Sequence, residues 1–328
     1  MKTITGHFSA CAALSAAVLL GAGGALAQPA AGQGTWTMAA EMTTTRTDVA
    51  AVEVGGKLYL MAGQAQGRED SPMAQEFDPA TGQWRDLAPL PKGASHVGIA
   101  AMGGKIYVAG GFTANVHKNP LDQFLEYDIS KNSWRALAPM PSPLGAAGLA
   151  VLGGKLHLVG GRGPDAKTVT SHSVFDPATG RWTSAAPLPV ARDHLGIAAM
   201  GGKLYVIAGR TAGTVDNTAY TDMYDPATDR WQAMAPMPTK RSAVATVIYR
   251  GQIVVFGGEC KIPSTMTTFN ENEAYDPKTD RWVSLAAPAV GRHAAGGAVA
   301  GDTVYFLGGN SGCGGVGPQK SVYAFKLP

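Results

Sequence analysis

DPATGQW (78–84), DISKNSW (128–134), DPATGRW (176–182), DPATDRW (225–231) and DPKTDRW (276–282) are five versions of one phrase. Together with Trp36 they place tryptophans at Trp36, Trp84, Trp134, Trp182, Trp231 and Trp282, in steps of 48, 50, 48, 49 and 51 residues. Steps so even mean one structural unit repeated along the chain. Within each phrase Asp bonds its own backbone in a turn, Pro presets φ, and Gly or Asp near the end tolerates positive φ. The phrase therefore predicts a tight loop between two antiparallel strands. An aromatic precedes every Asp (Phe77, Tyr127, Phe175, Tyr224, Tyr275), as expected where large rings fill the space between stacked sheets.

A second hairpin lies thirty residues or slightly less upstream of each phrase: VGGKLYLMAG, MGGKIYVAGG, LGGKLHLVGG, MGGKLYVIAG, YRGQIVVFGG and AGDTVYFLGG. Gly-Gly or Gly-Asp supplies the positive φ of a two-residue turn. The apolar run after it is too short for a helix and rich in β-formers. It ends on a small pair, such as Gly110-Gly111 or Ala208-Gly209, where missing side chains permit close backbone approach. Four strands per unit, six units and a period near 50 predict an all-β, six-bladed β-propeller. The paired glycines, the aromatic-Asp pair and the Trp six residues beyond it resemble the kelch repeat, over residues 36 to 327. The last glycine pair has no tryptophan after it, and Trp36 has no glycine pair before it. The strand around Trp36 is therefore expected to complete blade six, so that the N-terminal strand closes the ring and covers an open strand edge.

The formal charge of +3 and the lack of a basic run give no support to nucleic-acid binding. Residues 1–27 read as a cleaved export signal: Lys2, an apolar stretch from Ala10 to Leu20, and the small-x-small Ala25-Leu26-Ala27. That stretch is short of the roughly 20 residues a spanning helix needs. Residues 28–328 are expected to form one propeller domain, monomeric and periplasmic or secreted. Cys260 and Cys313 begin equivalent loops on neighbouring blades, and an oxidising compartment favours a disulfide between them.

The loops after the glycine pairs vary, whereas the GGK and DPATG turns hardly change. Ligands are usually read by variable loops on a rigid scaffold, so the longer-loop face around the channel mouth is the expected site. Nine residues before the first hairpin glycine, the units carry Arg46, Ala94, Leu144, Arg192, Arg241 and Arg292, with Asp48, His96, Asp193, His194 and His293 beside them. Four guanidiniums near one axis suit a carboxylate or acidic sugar; arginines at this point of kelch-like units also bond backbone carbonyls. The residue after each glycine pair varies as well: Gln64, Phe112, Arg162, Arg210, Glu259 and Asn310. His157 replaces a repeated tyrosine and reads as structural; His117 and His172, in variable loops, are expected to be exposed.

The leading expectation is a non-enzymatic binding module, taking a protein segment, glycan or small acidic ligand at the mouth, with no cofactor and no metal. Galactose oxidase shares the propeller, but its copper site needs a cysteine joined to a tyrosine, and the cysteines here are the Cys260 and Cys313 pair. N-acetylneuraminate epimerases, exported six-bladed kelch enzymes, are more similar. That resemblance implies a catalytic role for Glu259 in GGEC, with His194 or His293 completing acid/base work on a sugar anomer. It departs from the family where an arginine should follow, since residues 260–268 read CKIPSTMTT.

Overall fold

The computed structural model describes residue 1 and residues 33–114, 117–261 and 263–328; the expected export signal and its cleavage site lie outside them apart from Met1. Six four-stranded antiparallel sheets surround one axis. Blade one comprises Ala50–Val54, Lys57–Met61, Ala74–Asp78 and Gln83–Asp86, and blades two to five repeat this order, beginning at Gly98, Gly148, Gly196 and Ala245. Blade six takes Gly296–Ala300, Thr303–Leu307 and Ser321–Lys326, and its outermost strand is Thr35–Glu41 from the other end of the chain. Trp36 pairs with Phe325 in that ladder and packs against Phe256, Phe306 and Phe325, with centroids 5.0–6.3 Å away. Two single 3₁₀ turns, Pro263–Thr265 and Cys313–Gly315, are the helical elements among the described residues, and no helix there is long and apolar enough to cross a membrane.

The repeated phrase does what its residues dictate. The Asp78, Asp128, Asp176, Asp225 and Asp276 carboxylates each accept the backbone N–H two residues on. Where the fifth residue of the phrase is Asn132, Asp229 or Asp280, the aromatic upstream is a tyrosine whose hydroxyl donates to it. Where that residue is Gly82 or Gly180, the aromatic is Phe77 or Phe175, so hydroxyl and acceptor come and go together. The tryptophans do more than fill space. The indole N–H groups of Trp134, Trp182, Trp231, Trp282 and Trp36 donate to the carbonyls of Ala88, Ala138, Ala186, Ala235 and Ala286 on the preceding blade. Trp84 is the exception: its buried indole N–H has no partner among the described residues. By the same four-residue offset its acceptor would be Ala40, which lies inside the closing strand paired with Val322.

The small pairs bring neighbouring blades together. The second glycine of each blade, from Gly63 round to Gly309, donates its N–H to the residue at the arginine position of the next blade: Ala94, Leu144, Arg192, Arg241, Arg292 and Arg46 in turn. A side chain on Gly110 or Gly257 would lie 2.1 Å from that carbonyl oxygen, so only glycine, or Ala62 and Ala208 in a left-handed conformation, stands at the first position of the pair. Two residues inside this ring runs a second one. Asp48, His96, Ala146, His194, Ala243 and Ala294 all have φ between 49° and 57°. Each from His96 to Ala294 donates its N–H to the carbonyl of its counterpart one blade back. These six residues and those following them line the central cavity, about 130 Å³ in volume and partly open to solvent.

Candidate functional site at the channel mouth

The four repeated arginines do not line the mouth. Arg46, Arg192, Arg241 and Arg292 are at most 2% exposed, and each points into its own blade. Arg192 donates to the Val206 carbonyl and, at 2.7 Å, to the Asp222 carboxylate. Arg241 reaches Gly257, Glu271 and Val255 carbonyls and the Glu273 carboxylate at 2.6 Å. Arg46 donates to Gln75 and to the Ala62 carbonyl. Arg292 donates to Ser321 and lies 4.5 Å from the Tyr323 ring centroid. The expectation of a cationic ring for an acidic ligand is therefore corrected: orphan carbonyls at the strand ends need buried donors, and these arginines supply them. The missing arginines of blades two and three fit the same account, because at the facing position Ala94 meets Leu125 in one apolar cluster and blade three carries Ser173.

A different set of side chains converges on the mouth, from the position after each glycine pair and the two positions beside the inner ring. Asp193 is its hub, with no exposure. It accepts from Arg162 Nε at 2.6 Å, Arg210 Nε at 3.1 Å and His194 Nδ1 at 2.6 Å. Arg210, 1% exposed, also donates through Nη1 to Glu259. Its Nη2 lies 3.1 Å from both His117 Nε2 and His194 Nε2. Glu259 accepts the Gly314 N–H as well. Across the cavity Asp48 accepts from His96 Nε2 at 2.9 Å, while His96 Nδ1 faces Ser95 Oγ at 3.0 Å. Asn310 is buried, and neither atom of its amide has a partner among the described residues. His293 donates through Nε2 to the Gly312 carbonyl and holds the blade-six loop.

Burial works to raise the Asp48 and Asp193 carboxyls, but His96 beside the first and His194 with Arg210 beside the second hold both well below the usual range. Burial likewise opposes ionisation of Glu259, and His293 and Arg210 prevail, keeping it low. His194 is pushed down to about 4 by burial and by the Arg210 charge, against the pull of Asp193. Burial, then the neighbouring His194, pushes His117 lower still. Near neutral pH the mouth thus holds ionised carboxylates and guanidiniums around uncharged imidazoles at His117 and His194.

Of the expected site residues, His96, His194, Arg162, Arg210 and Glu259 come together, with Asn310 and His293 at the margin. Cys260 and Cys313 form a disulfide that ties the blade-five and blade-six loops where Glu259 and Gly314 meet. His117 and His172 are not exposed as expected. His117 folds in over the cavity, and His172 is 3% exposed with its Nε2 2.9 Å from His157 Nδ1, between blades three and four. Asp193 does not bond its neighbour Arg192 but holds Arg162, Arg210 and His194; the sequence signal for this hub was the Arg162 and Arg210 pair at the position after the glycines.

A closed six-bladed ring with a charged mouth defines the class, and the comparisons define the family. Residues 147–327 match the KLHDC2/KLHL20/DRC7 Kelch-repeats domain, and residues 45–91 and 93–141 match the Kelch motif; the chain belongs to the kelch-repeat family. Kelch-like ECH-associated protein 1A of Danio rerio is 31% identical over 87 residues, 26% of this chain and 14% of that protein. The putative F-box/kelch-repeat protein At4g39756 of Arabidopsis thaliana is 36% identical over 89 residues, 26% of this chain and 23% of that one. The chain thus spans less than a quarter of either relative. The solved structure of YjhT superposes with a TM-score of 0.71 over 86% of this chain and 96% of that one, at 17% identity, a likeness of fold.

Proposed function

We propose that the protein is an extracytoplasmic binding propeller that seats a polar, hydroxyl-rich ligand, a glycan above all, over its channel mouth. One observation carries this reading: Asp48, His96 and His194 line the central cavity where the equivalent positions are Ala146, Ala243 and Ala294, and Arg162, Asp193, Arg210, Glu259 and His117 join them in one hydrogen-bonded cluster. Buried charge clusters cost desolvation and are weak stabilisers; gathered in a cleft, they mark a working site. Both arginines there already hold carboxylates, which favours alternating donors and acceptors over net positive charge, and so a hydroxylated ligand over a simple acid. The Asn310 amide, unpartnered among the described residues, offers one more donor and acceptor. The extracytoplasmic setting draws support from the disulfide and the signal-like residues 1–27. A glycan and acidic-metabolite array tests the proposal, with Arg162→Ala and His194→Ala as mouth variants. Binding lost in both is expected; hits that survive both remove the mouth as the site.

The Asp193–His194 pair favours a second reading, mutarotation of a sugar. Asp193 fixes the Nδ1–H tautomer, which turns His194 Nε2 towards the cavity as a proton acceptor, with Glu259 one arginine away as a second group for acid/base exchange at the anomeric and ring oxygens. Anomer exchange followed by proton NMR decides this, and a rate equal to that in buffer ends it.

A further inference from the structure

We infer that the mouth holds one divalent transition-metal ion of the zinc class between His96, His117 and His194. This rests on the mouth being the working site and names an ion as part of what it binds. One ring nitrogen from each histidine lies within 4.8 Å of the other two. The His117 and His194 Nε2 atoms are 3.2 Å apart, close to the roughly 3.3 Å between nitrogens sharing a tetrahedral zinc. A small inward turn of the His96 imidazole completes the set. Two of the rings are pre-oriented. His96 and His194 occupy equivalent left-handed positions of the inner ring, φ 57° and 52°. Each ties Nδ1 to the residue before it, Ser95 Oγ or Asp193 Oδ1; His194 Nε2 already faces His117, and His96 Nε2, which donates to Asp48, gives up that bond and its proton on meeting the ion. A carboxylate or hydroxyl behind a ligating imidazole is the usual outer support of a metal site.

Charge points the same way. Asp48, Asp193 and Glu259 against Arg162 and Arg210 leave the mouth one negative charge when the imidazoles are neutral. Asp48, at the cavity wall, has His96 as its one ion-pair partner among the described residues, and its charge stays in the mouth to balance the ion. Arg210 is the competitor, since Nη2 contacts both distal nitrogens; its Nε and Nη1 stay with Asp193 and Glu259, so the ion displaces the contacts of one nitrogen only. The sequence shows no metal-ligand spacing because the ligands come from two loops of blade two and one of blade four. Imidazole-rich sites suit Zn²⁺, and Co²⁺ reports on the same geometry.

The test uses untagged protein stripped with chelator and titrated with Zn²⁺ and Co²⁺. The expected result is one ion per chain with the intense visible bands of tetrahedral Co²⁺, lost in His117→Ala and His194→Ala, and affinity about tenfold weaker in Ser95→Ala. His117 sits on a loop, so its variant should melt like the parent and serves as the folded control. No stoichiometric uptake, or uptake unchanged in His117→Ala, overturns the inference. Glycan binding by metal-free protein that takes up no ion would do so too, while leaving the mouth reading intact; uptake at these histidines without a glycan hit supports the ion and counts against the glycan.

Discussion

Two sets of arginines in this propeller, one sealed inside the blades and one at the mouth, do opposite work. Arg46, Arg192, Arg241 and Arg292 recur at one place in the repeat, each satisfied inside its own blade by strand-end carbonyls and one third-strand side chain. Arg162 and Arg210 stand at a place where the other four blades carry Gln64, Phe112, Glu259 and Asn310, and their partners come from several blades: Asp193 and His194 from blade four, Glu259 from blade five, His117 from blade two. In a repeat protein, a charge that recurs with its partner belongs to the scaffold, and a charge that breaks the repeat and reaches across blades belongs to the site.

The scaffold side of this comparison meets its hardest test at the ring closure. Deleting residues 28–40 removes the outermost strand of blade six, uncovers Phe306 and Phe325 and frees the edge of Ser321–Lys326. The expected outcome is loss of one cooperative unfolding transition, or a large fall in Tm, in a calorimetric scan. A Tm equal to that of the parent would mean that the ring does not depend on its closing strand.

The arginines come next. Arg241→Ala strands a buried Glu273 carboxylate and several carbonyls, a loss of about 3–5 kcal/mol for breaking a buried pair. Arg162→Ala leaves Asp193 still held by Arg210 and His194, and its side chain is 13% exposed, so a cost of about 1 kcal/mol is expected together with weakened ligand binding. Urea midpoints of the two variants measure the contrast. Equal destabilisation, or intact ligand binding in Arg162→Ala, would erase the distinction between the sets.

The fold was legible because its causes are local and recur: turn residues, small pairs and one tryptophan per unit each specify a piece of backbone, and the period joins them. The scaffold role of the arginines was also written in the chain, in the pairing of Arg46, Arg192 and Arg241 with Gln75, Asp222 and Glu273 and of Ala94 with Leu125, but only the folded blade brings those positions together. The mouth was partly legible. His96, His194, Arg162, Arg210 and Glu259 sit in the repeat frame, so their gathering at the axis follows from symmetry. His117 sits in an irregular loop with no counterpart in other blades, and its place depends on how that loop folds over the cavity.

His157 gives the mildest test, because it breaks the repeat without belonging to the mouth. Tyr59, Tyr107 and Tyr205 hold its position elsewhere, and here the ring hydrogen-bonds His172 and faces Tyr224. Burial first, then the His172 and Lys155 charges, push His157 down to about 4, and burial lowers His172 although Asp229 pulls the other way. An unfolded histidine titrates near 6.5, so the unfolded chain takes up the proton first. The stability contributed by the neutral rings is complete above about pH 6.5 and drains away as the pH falls towards 4. His157→Tyr should leave stability at pH 7 within about 1 kcal/mol of the parent and shrink the loss between pH 7 and pH 4.5 by on the order of 1–2 kcal/mol. Mouth binding should not change, because the pair lies between blades three and four. A parent and variant with parallel stability–pH curves would show that acid sensitivity arises elsewhere, and a variant that loses ligand would join this departure from the repeat to the site at the mouth.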